Sequence, residues 1–217
     1  MTRAMYKWVT IGLIAVWFSF SVVASAENLF RTDTARFGLG IAIAAGAPLI
    51  LFAMWFGSSA GFREFLLSLD PRALTIVETW RIVGAAFLVL YYLGMLPGLF
   101  AFPAGVGDAA IGVTAPLVAV GLTKFAHRKS FIVWQILGIL DLATAVTLGT
   151  TDGLIYPSGV GMGAMTVLPL SLIPTFFVPL LLLFHIICIR QARRWRASEP
   201  TAYQQDGSGA GVKPALA

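Results

Sequence analysis

Five ionisable side chains stand inside long apolar stretches of the sequence. They are Glu78, Arg81, Asp108, Asp141 and His185. A charge at the centre of a bilayer costs at least ~3 kcal/mol on insertion scales, so such residues normally face the interior of a helix bundle and find partners there. Carboxylates and imidazoles in this setting carry protons or bind charged solutes. These residues therefore predict a proton or solute pathway across a membrane.

The predicted depths of these groups spread them across the membrane. With a helical rise of roughly 1.5 Å per residue, Asp141 is predicted near the midplane and Asp108 about 10 Å toward the outside. Arg81 and His185 are each predicted roughly 8–9 Å toward the cytoplasm, with Glu78 slightly deeper. In this ladder Asp141 is the titrating or solute-binding group, and Arg81 is its expected partner. His185 would connect to the cytoplasm, and Asp108 would form the outer mouth.

Most of these residues also have a structural explanation. Asp108 falls in the first turn of its predicted helix, where free N–H groups and the helix dipole stabilise a carboxylate. Glu78 and Arg81 are three residues apart, so a local ion pair or snorkelling would explain them. His185 also fits a hydrogen-bonded core histidine. Asp141 is the hardest to explain in this way, because it is mid-helix and has no charged residue within one turn.

Other chemistry has little support in the sequence. Neither H-x-x-x-H nor C-x-x-C occurs, so the usual zinc and haem ligands are missing. Cys188 is the only cysteine and is predicted to be a small core residue. His127 lies beside Arg128 and Lys129, which indicates a solvated surface position. We expect no catalytic residue, cofactor or metal, and a lipid-acting enzyme is the least favoured function.

The elements that must position these residues are apolar stretches of about 20 residues, the length that a membrane-spanning helix needs. The chain has 217 residues, 58% hydrophobic and 12% charged, whereas soluble domains carry about 25% charged residues. The sequence therefore predicts an all-α polytopic transmembrane bundle over residues 1–197 and a disordered cytoplasmic tail at 198–217. Six helices are predicted, at 7–25, 37–57, 73–96, 106–123, 130–149 and 168–190.

The distribution of basic residues predicts the orientation of the bundle. Eleven lysines and arginines lie in segments expected on one side of the membrane, and only Arg31 and Arg36 lie on the other. The positive-inside rule then places both termini in the cytoplasm. Residues 1–26 also have the pattern of a secretory signal ending at Ala26, and five helices would remain after its cleavage. Retention, with six helices, is the working hypothesis.

Three connections carry further predictions. Residues 58–70 are predicted to form a short amphipathic helix in the cytoplasmic interface. Residues 97–106 hold two prolines and are predicted to be a tight connection between helices. Residues 150–166 are predicted to fold back over the bundle. The apolar positions of the amphipathic segment are Phe62, Phe65, Leu66 and Leu69.

The predicted partners are the lipid bilayer and a second copy of the chain or a larger membrane complex. The prediction of a protein partner rests on small residues in the second predicted helix, which allow close packing with another helix or subunit. These residues are Gly38, Gly40, Ala45 and Gly46. The net charge of +5 is explained by membrane orientation, so no nucleic-acid partner is predicted.

Several segments combine into a specific pattern: Arg81, LPGLFAFPAGVGD at 96–108, LGILDL at 137–142, and Ile173-Pro174 through His185. Over about residues 73–190 this pattern resembles a group of small bacterial integral membrane proteins for which no activity is established. The resemblance implies a location in the bacterial inner (plasma) membrane and supplies no substrate, cofactor or mechanism.

Two functions remain open from the sequence. The first is a small-solute or proton-linked transporter or channel that uses the intramembrane ladder. The second is a non-catalytic membrane subunit or assembly factor, in which the buried charges form a structural ion-pair network. The distances between Asp141, Arg81 and His185 discriminate between a pathway and scattered lipid-facing positions, because a pathway requires these groups to meet beside a cavity.

Overall fold

The computed structural model describes residues 2–31, 38–155 and 159–195, and the backbone alone at Gly153 and Leu154. Over these residues the protein is all α-helical, as predicted, with seven helices. Six of them are long and apolar enough to cross a membrane. The predicted tail at 198–217 lies outside the described residues. The helices are α1 (Arg3–Ala26), α2 (Leu39–Ser58), α3 (Ala60–Leu67), α4 (Pro71–Tyr92), α5 (Gly98–Gly121), α6 (Arg128–Ile155) and α7 (Ile173–Arg194).

Helix α3 confirms the amphipathic helix predicted at 58–70, but not its predicted environment. Its apolar face, formed by Phe62, Phe65 and Leu66, is buried within the protein. This face packs against Tyr6 of α1 and Ile187 of α7. The segment therefore holds neighbouring helices together at one end of the bundle, because burial of its apolar side chains stabilises that contact.

Helix α4 changes its geometry where it carries charge. Residues Glu78–Ala85 form a 3₁₀ segment within the longer helix. Because a 3₁₀ helix has three residues per turn, positions i, i+3 and i+6 share one face. Glu78, Arg81 and Gly84 therefore form one buried row. An ordinary α-helical period would have turned Gly84 away from the row.

Helix α5 begins at Gly98, so the prediction of a tight connection over 97–106 was wrong. The helix continues through Pro103 and Pro116. Its first turns are stabilised by burial of Phe100 and its neighbours against α4 and the segment after α6, and this packing overrides the weak helix propensity of the prolines and glycines. As a consequence, Asp108 lies in the middle of α5. The explanation that Asp108 caps the first turn of its helix was therefore wrong.

Residues 162–166 fold back over the bundle as predicted, whereas residues 150–155 of the predicted segment 150–166 continue α6. Met162 and Met165 are buried in a cluster with Phe87 of α4 and Phe100 of α5. The backbone turns through a short 3₁₀ helix at Gly163–Thr166. The cluster closes one end of the bundle over the described part of the chain.

The start of α7 is irregular, and α1 compensates for the irregularity. Residues Ile173–Phe177 form a π-helical turn. In a regular α-helix the carbonyl oxygen of Thr175 would accept from residue 179, but Pro179 has no N–H. The indole Nε1 of Trp17 in α1 donates to this oxygen at 3.0 Å. Helix α1 therefore takes part in the hydrogen bonding of the bundle.

Two contacts place the start of α1 and the end of α7 on the same side of the bundle. The Arg3 side chain donates to the Ser68 carbonyl oxygen at 3.3 Å. At the end of α7, Arg194 forms an ion pair with Glu64 of α3 at 3.2 Å. Helix α3 thus contacts both terminal helices. This agrees with an even number of membrane crossings, while the assignment of that side to the cytoplasm stays a prediction from charge.

Candidate functional site

Arg81 is the centre of a cluster of charged side chains inside the bundle. Its side chain is 1% exposed. Nε donates to Asp108 Oδ1 of α5 at 2.7 Å, and Nη2 donates to Asp141 Oδ2 of α6. Nη1 donates to the carbonyl oxygen of Gly138, also in α6, at 3.3 Å. One arginine thus connects three helices, largely through charge-assisted hydrogen bonds, which are the strong ones in proteins.

His185 of α7 and Glu78 of α4 complete the cluster. The Nε2 atom of His185 lies 3.2 Å from Arg81 Nη1 and 3.3 Å from Glu78 Oε2. Glu78 Oε2 is also 3.9 Å from Arg81 Nη1. Both Glu78 and His185 are fully buried. All five residues singled out in the sequence therefore belong to one cluster, in which the other four each lie within 4 Å of Arg81.

The cluster replaces the ladder that was predicted across the membrane. The midpoints of α4, α5, α6 and α7 fall close to residues 81, 109, 141 and 183. Arg81, Asp108, Asp141 and His185 are within two residues of those midpoints, or roughly 3 Å of helix length. The predicted depths were wrong mainly because the ends of the helices were misplaced, above all the start of α5.

Two neutral residues extend the cluster toward the Pro71 end of α4, and the sequence analysis overlooked both. Gln135 Oε1 is hydrogen-bonded to His185 Nδ1. Gln135 Nε2 donates to Thr75 Oγ1 at 3.4 Å. The Thr75 hydroxyl in turn donates to the Pro71 carbonyl oxygen at 2.7 Å. The sequence signal for Gln135 is a glutamine in the middle of an apolar helix, which is uncharged and therefore not among the ionisable residues considered above.

These hydrogen bonds determine where one proton of His185 lies. Because the Thr75 hydroxyl donates to the backbone, its oxygen accepts from the Gln135 amide. The Gln135 carbonyl oxygen then faces His185, so Nδ1 of the imidazole carries a proton. On the other side of the ring, Nε2 faces both the Arg81 guanidinium and the Glu78 carboxylate. Both oxygens of Glu78 are buried without a hydrogen-bond partner among the described residues.

Glycines allow the helices that carry the cluster to approach one another. A Cβ atom at Gly107 of α5 would overlap the carboxylate of Asp141. A Cβ atom at Gly138 of α6 would overlap the imidazole of His185. Gly84 of α4 leaves room in the same way for Asp108. Small residues at these positions are what lets four helices meet around one guanidinium.

The cluster holds more carboxylates than cations. Three carboxylates, those of Glu78, Asp108 and Asp141, face the permanent positive charge of Arg81 and the imidazole of His185. Arg81 and His185 together balance at most two of these carboxylates. At least one negative charge is left over, and a buried charge of this kind is costly unless a proton or another cation balances it.

The side chains of Asp108 and Asp141 are the most accessible of the cluster, each 15% exposed. Asp108 lies on the wall of a cavity of about 560 Å³ between α2, α4, α5, α6 and α7. It is the only charged residue among the described residues that line this cavity. The rest of the wall is almost entirely apolar, and it includes Phe87, Phe100, Leu142 and Leu182.

Two other sequence predictions concern residues near the cluster or on the surface. Cys188 is buried beside Thr75, as expected for a small core residue. His127 is exposed in the turn before α6, as expected for a solvated position. Within the described ranges, no group of three or more His, Cys, Asp and Glu side chains is arranged to hold a metal ion.

The helices and the cluster define a multi-span membrane protein with a buried Glu/Arg/His/Asp ion-pair network. The chain belongs to the family described as a domain of unknown function, DUF8737, which it matches over residues 36–193. The matched region contains every residue of the cluster and leaves out α1. Comparisons with curated proteins and with solved structures found no match.

Proposed function

We propose that the protein is a proton-linked transporter or channel for a small solute in the bacterial plasma membrane, with the Arg81 cluster as its proton site. The observation that carries the proposal is the convergence of Asp108 and Asp141 on a single arginine at the middle of the bundle. Two carboxylates that compete for one cation leave a negative charge that a proton can balance. Ionisable groups at membrane depth are rare and commonly mark ion or proton pathways.

Each residue of the cluster has a distinct role in this proposal. Asp141 binds and releases the transported proton, and Arg81 holds its carboxylate in place. Asp108 forms the entrance from the cavity side, since it lines the cavity and contacts Arg81 directly. Glu78 and His185 lie 3.3 Å apart beside Arg81, so they pass the proton onward from the aspartates toward the Pro71 end of α4.

The direct test is proton flux into liposomes that contain the purified protein, read with an internal pH dye. We expect flux with the wild type and none with Asp141→Asn. The asparagine oxygen still accepts the hydrogen bond from Arg81, so this variant keeps the fold while losing the titrating group. Asp152→Asn is the matched control, because it makes the same change on α6 about 16 Å of helix away from Asp141. Undiminished flux in Asp141→Asn would disprove the role of this residue.

A second function is favoured by one specific observation. All three nitrogens of the Arg81 guanidinium have acceptors from the bundle itself, as in a network whose role is structural. In that case the protein is a non-catalytic membrane subunit or assembly factor. We then expect well-folded wild type to give no flux and to co-purify with one larger membrane complex, and Asp141→Asn to lower the melting temperature of the purified protein.

A further inference from the structure

We propose that the cavity beside Asp108 binds a hydrophobic monocation, such as a lipophilic amine or quaternary ammonium compound. This inference rests on the proposed function and names its solute class. The cation would occupy the cavity with its apolar body and place its charge against the carboxylate of Asp108.

The charge of the cluster argues for a cation. The leftover negative charge of the two aspartates is balanced either by a proton or by a bound positive ligand, so the two compete for the same site. An anion would add a second uncompensated charge in a low-dielectric region, which is strongly unfavourable. A neutral ligand would leave the existing charge unbalanced. A ligand with one positive charge compensates negative charge that Arg81 and His185 leave unbalanced.

The position of Asp108 argues for direct contact with that cation. One carboxylate oxygen, Oδ1, is taken by Arg81. The other, Oδ2, receives no hydrogen bond from the described residues. It lies beside Gly84, and a side chain at position 84 would overlap it. The Asp108 side chain is 15% exposed and lies on the cavity wall, so a ligand in the cavity contacts this carboxylate while its bond to Arg81 is kept.

The walls of the cavity argue for an apolar ligand body. Aromatic and aliphatic side chains of α2, α4, α5, α6 and α7 surround the single carboxylate. A volume of about 560 Å³ falls in the range of roughly 300–1,000 Å³ that is typical of small-molecule sites. A second, larger cavity of about 760 Å³ between α1, α2, α3 and α7 has no charged residue on its described wall. It therefore lacks the feature that would select a cation.

The test is equilibrium binding of tetraphenylphosphonium to the purified, detergent-solubilised protein. Tetraphenylborate, an anion of nearly the same shape, is the matched probe. We expect saturable binding of the cation and none of the anion. Asp108→Asn should weaken cation binding by at least about tenfold, which corresponds to ~1.4 kcal/mol. The matched control, Asp152→Asn, should bind the cation as the wild type does.

A second pair of variants tests the cavity without altering charge. Gly46 lines the cavity, and a Cβ atom added there meets no neighbour within 4 Å. Gly46→Phe should therefore fold normally, fill part of the cavity and weaken cation binding. Gly12→Phe makes the same change on the exposed surface of α1, where the added Cβ also meets nothing within 4 Å, and should leave binding unchanged.

The possible results separate this inference from the proposed function. Equal binding of both probes, or undiminished binding in both Asp108→Asn and Gly46→Phe, would overturn the cation site. Absence of cation binding together with proton flux would overturn the cation site while leaving the proton pathway in place. Selective cation binding with no proton flux would support the site and contradict proton-linked transport.

Discussion

Arg81 and Asp141 form a direct ion pair at the centre of the bundle, although they are 60 residues apart in the sequence. Both residues lie near the midpoint of a long apolar helix. The pair fixes α4 against α6. Asp108 then joins the same guanidinium from α5, so the stability of the bundle and the charge of the site depend on one side chain.

Arg81→Gln should be severely destabilising. Removing one partner of a buried ion pair costs about 3–5 kcal/mol, because the remaining charge is left unpaired. We expect the purified variant to melt well below the wild type in a thermal shift assay. The double variant Arg81→Gln with Asp141→Asn should recover part of this loss, since one stranded carboxylate is removed. Arg72→Gln is the control, because Arg72 is exposed. Additive effects of the two single changes would contradict the direct pairing.

Gly138→Ala should destabilise the protein through a steric conflict. The added methyl group would overlap the imidazole of His185, and overpacking of this kind costs about 1–3 kcal/mol. The effect is checked by the melting temperature of the purified variant. Gly12→Ala, on the open surface of α1, should be neutral or slightly stabilising because alanine favours helix. Equal melting temperatures for the two variants would show that α6 and α7 are not as close as described.

Trp17→Phe should loosen the contact between α1 and α7. The change removes the indole N–H that donates to the Thr175 carbonyl oxygen, and the loss of one such hydrogen bond costs about 1 kcal/mol. A lower melting temperature is expected, with faster proteolysis between α1 and α2. Trp8→Phe serves as the control, because Trp8 is 67% exposed. Indistinguishable behaviour of the two variants would argue against a structural role for this hydrogen bond.

Gln135→Met should slow proton flux while preserving the fold. Methionine has a similar volume but cannot hold the Nδ1 proton of His185 in place, so the relay loses its orientation. We expect flux in liposomes to fall at least tenfold, equivalent to a barrier higher by ~1.4 kcal/mol. Gln191→Met is the matched control, because Gln191 is buried and binds backbone carbonyls of α3 and the turn after it. Equal flux in both variants would remove Gln135 from the pathway.

Two local features of the fold differ from the prediction because packing competes with propensity. The prolines and glycines between Leu96 and Asp108 indicated a loop, yet most of that segment is helical because Phe100 and its neighbours are buried against other helices. Likewise, Glu78–Ala85 adopts a 3₁₀ conformation that no local sequence pattern predicts. Both features depend on contacts with distant parts of the chain. The hydropathy of a local segment carries no information about such contacts.

The sequence by itself determined that this is an all-helical membrane protein and which five charged residues must find partners inside it. Both conclusions follow from the cost of leaving backbone groups or charges unpaired in lipid, and that cost depends on residue type and helix length alone. Only the tertiary structure decided that these residues converge on Arg81 in one layer, with Gln135 and Thr75 joining them. The meeting of side chains from four helices depends on helix boundaries and on close approach at glycines such as Gly107, and these arise from packing between helices.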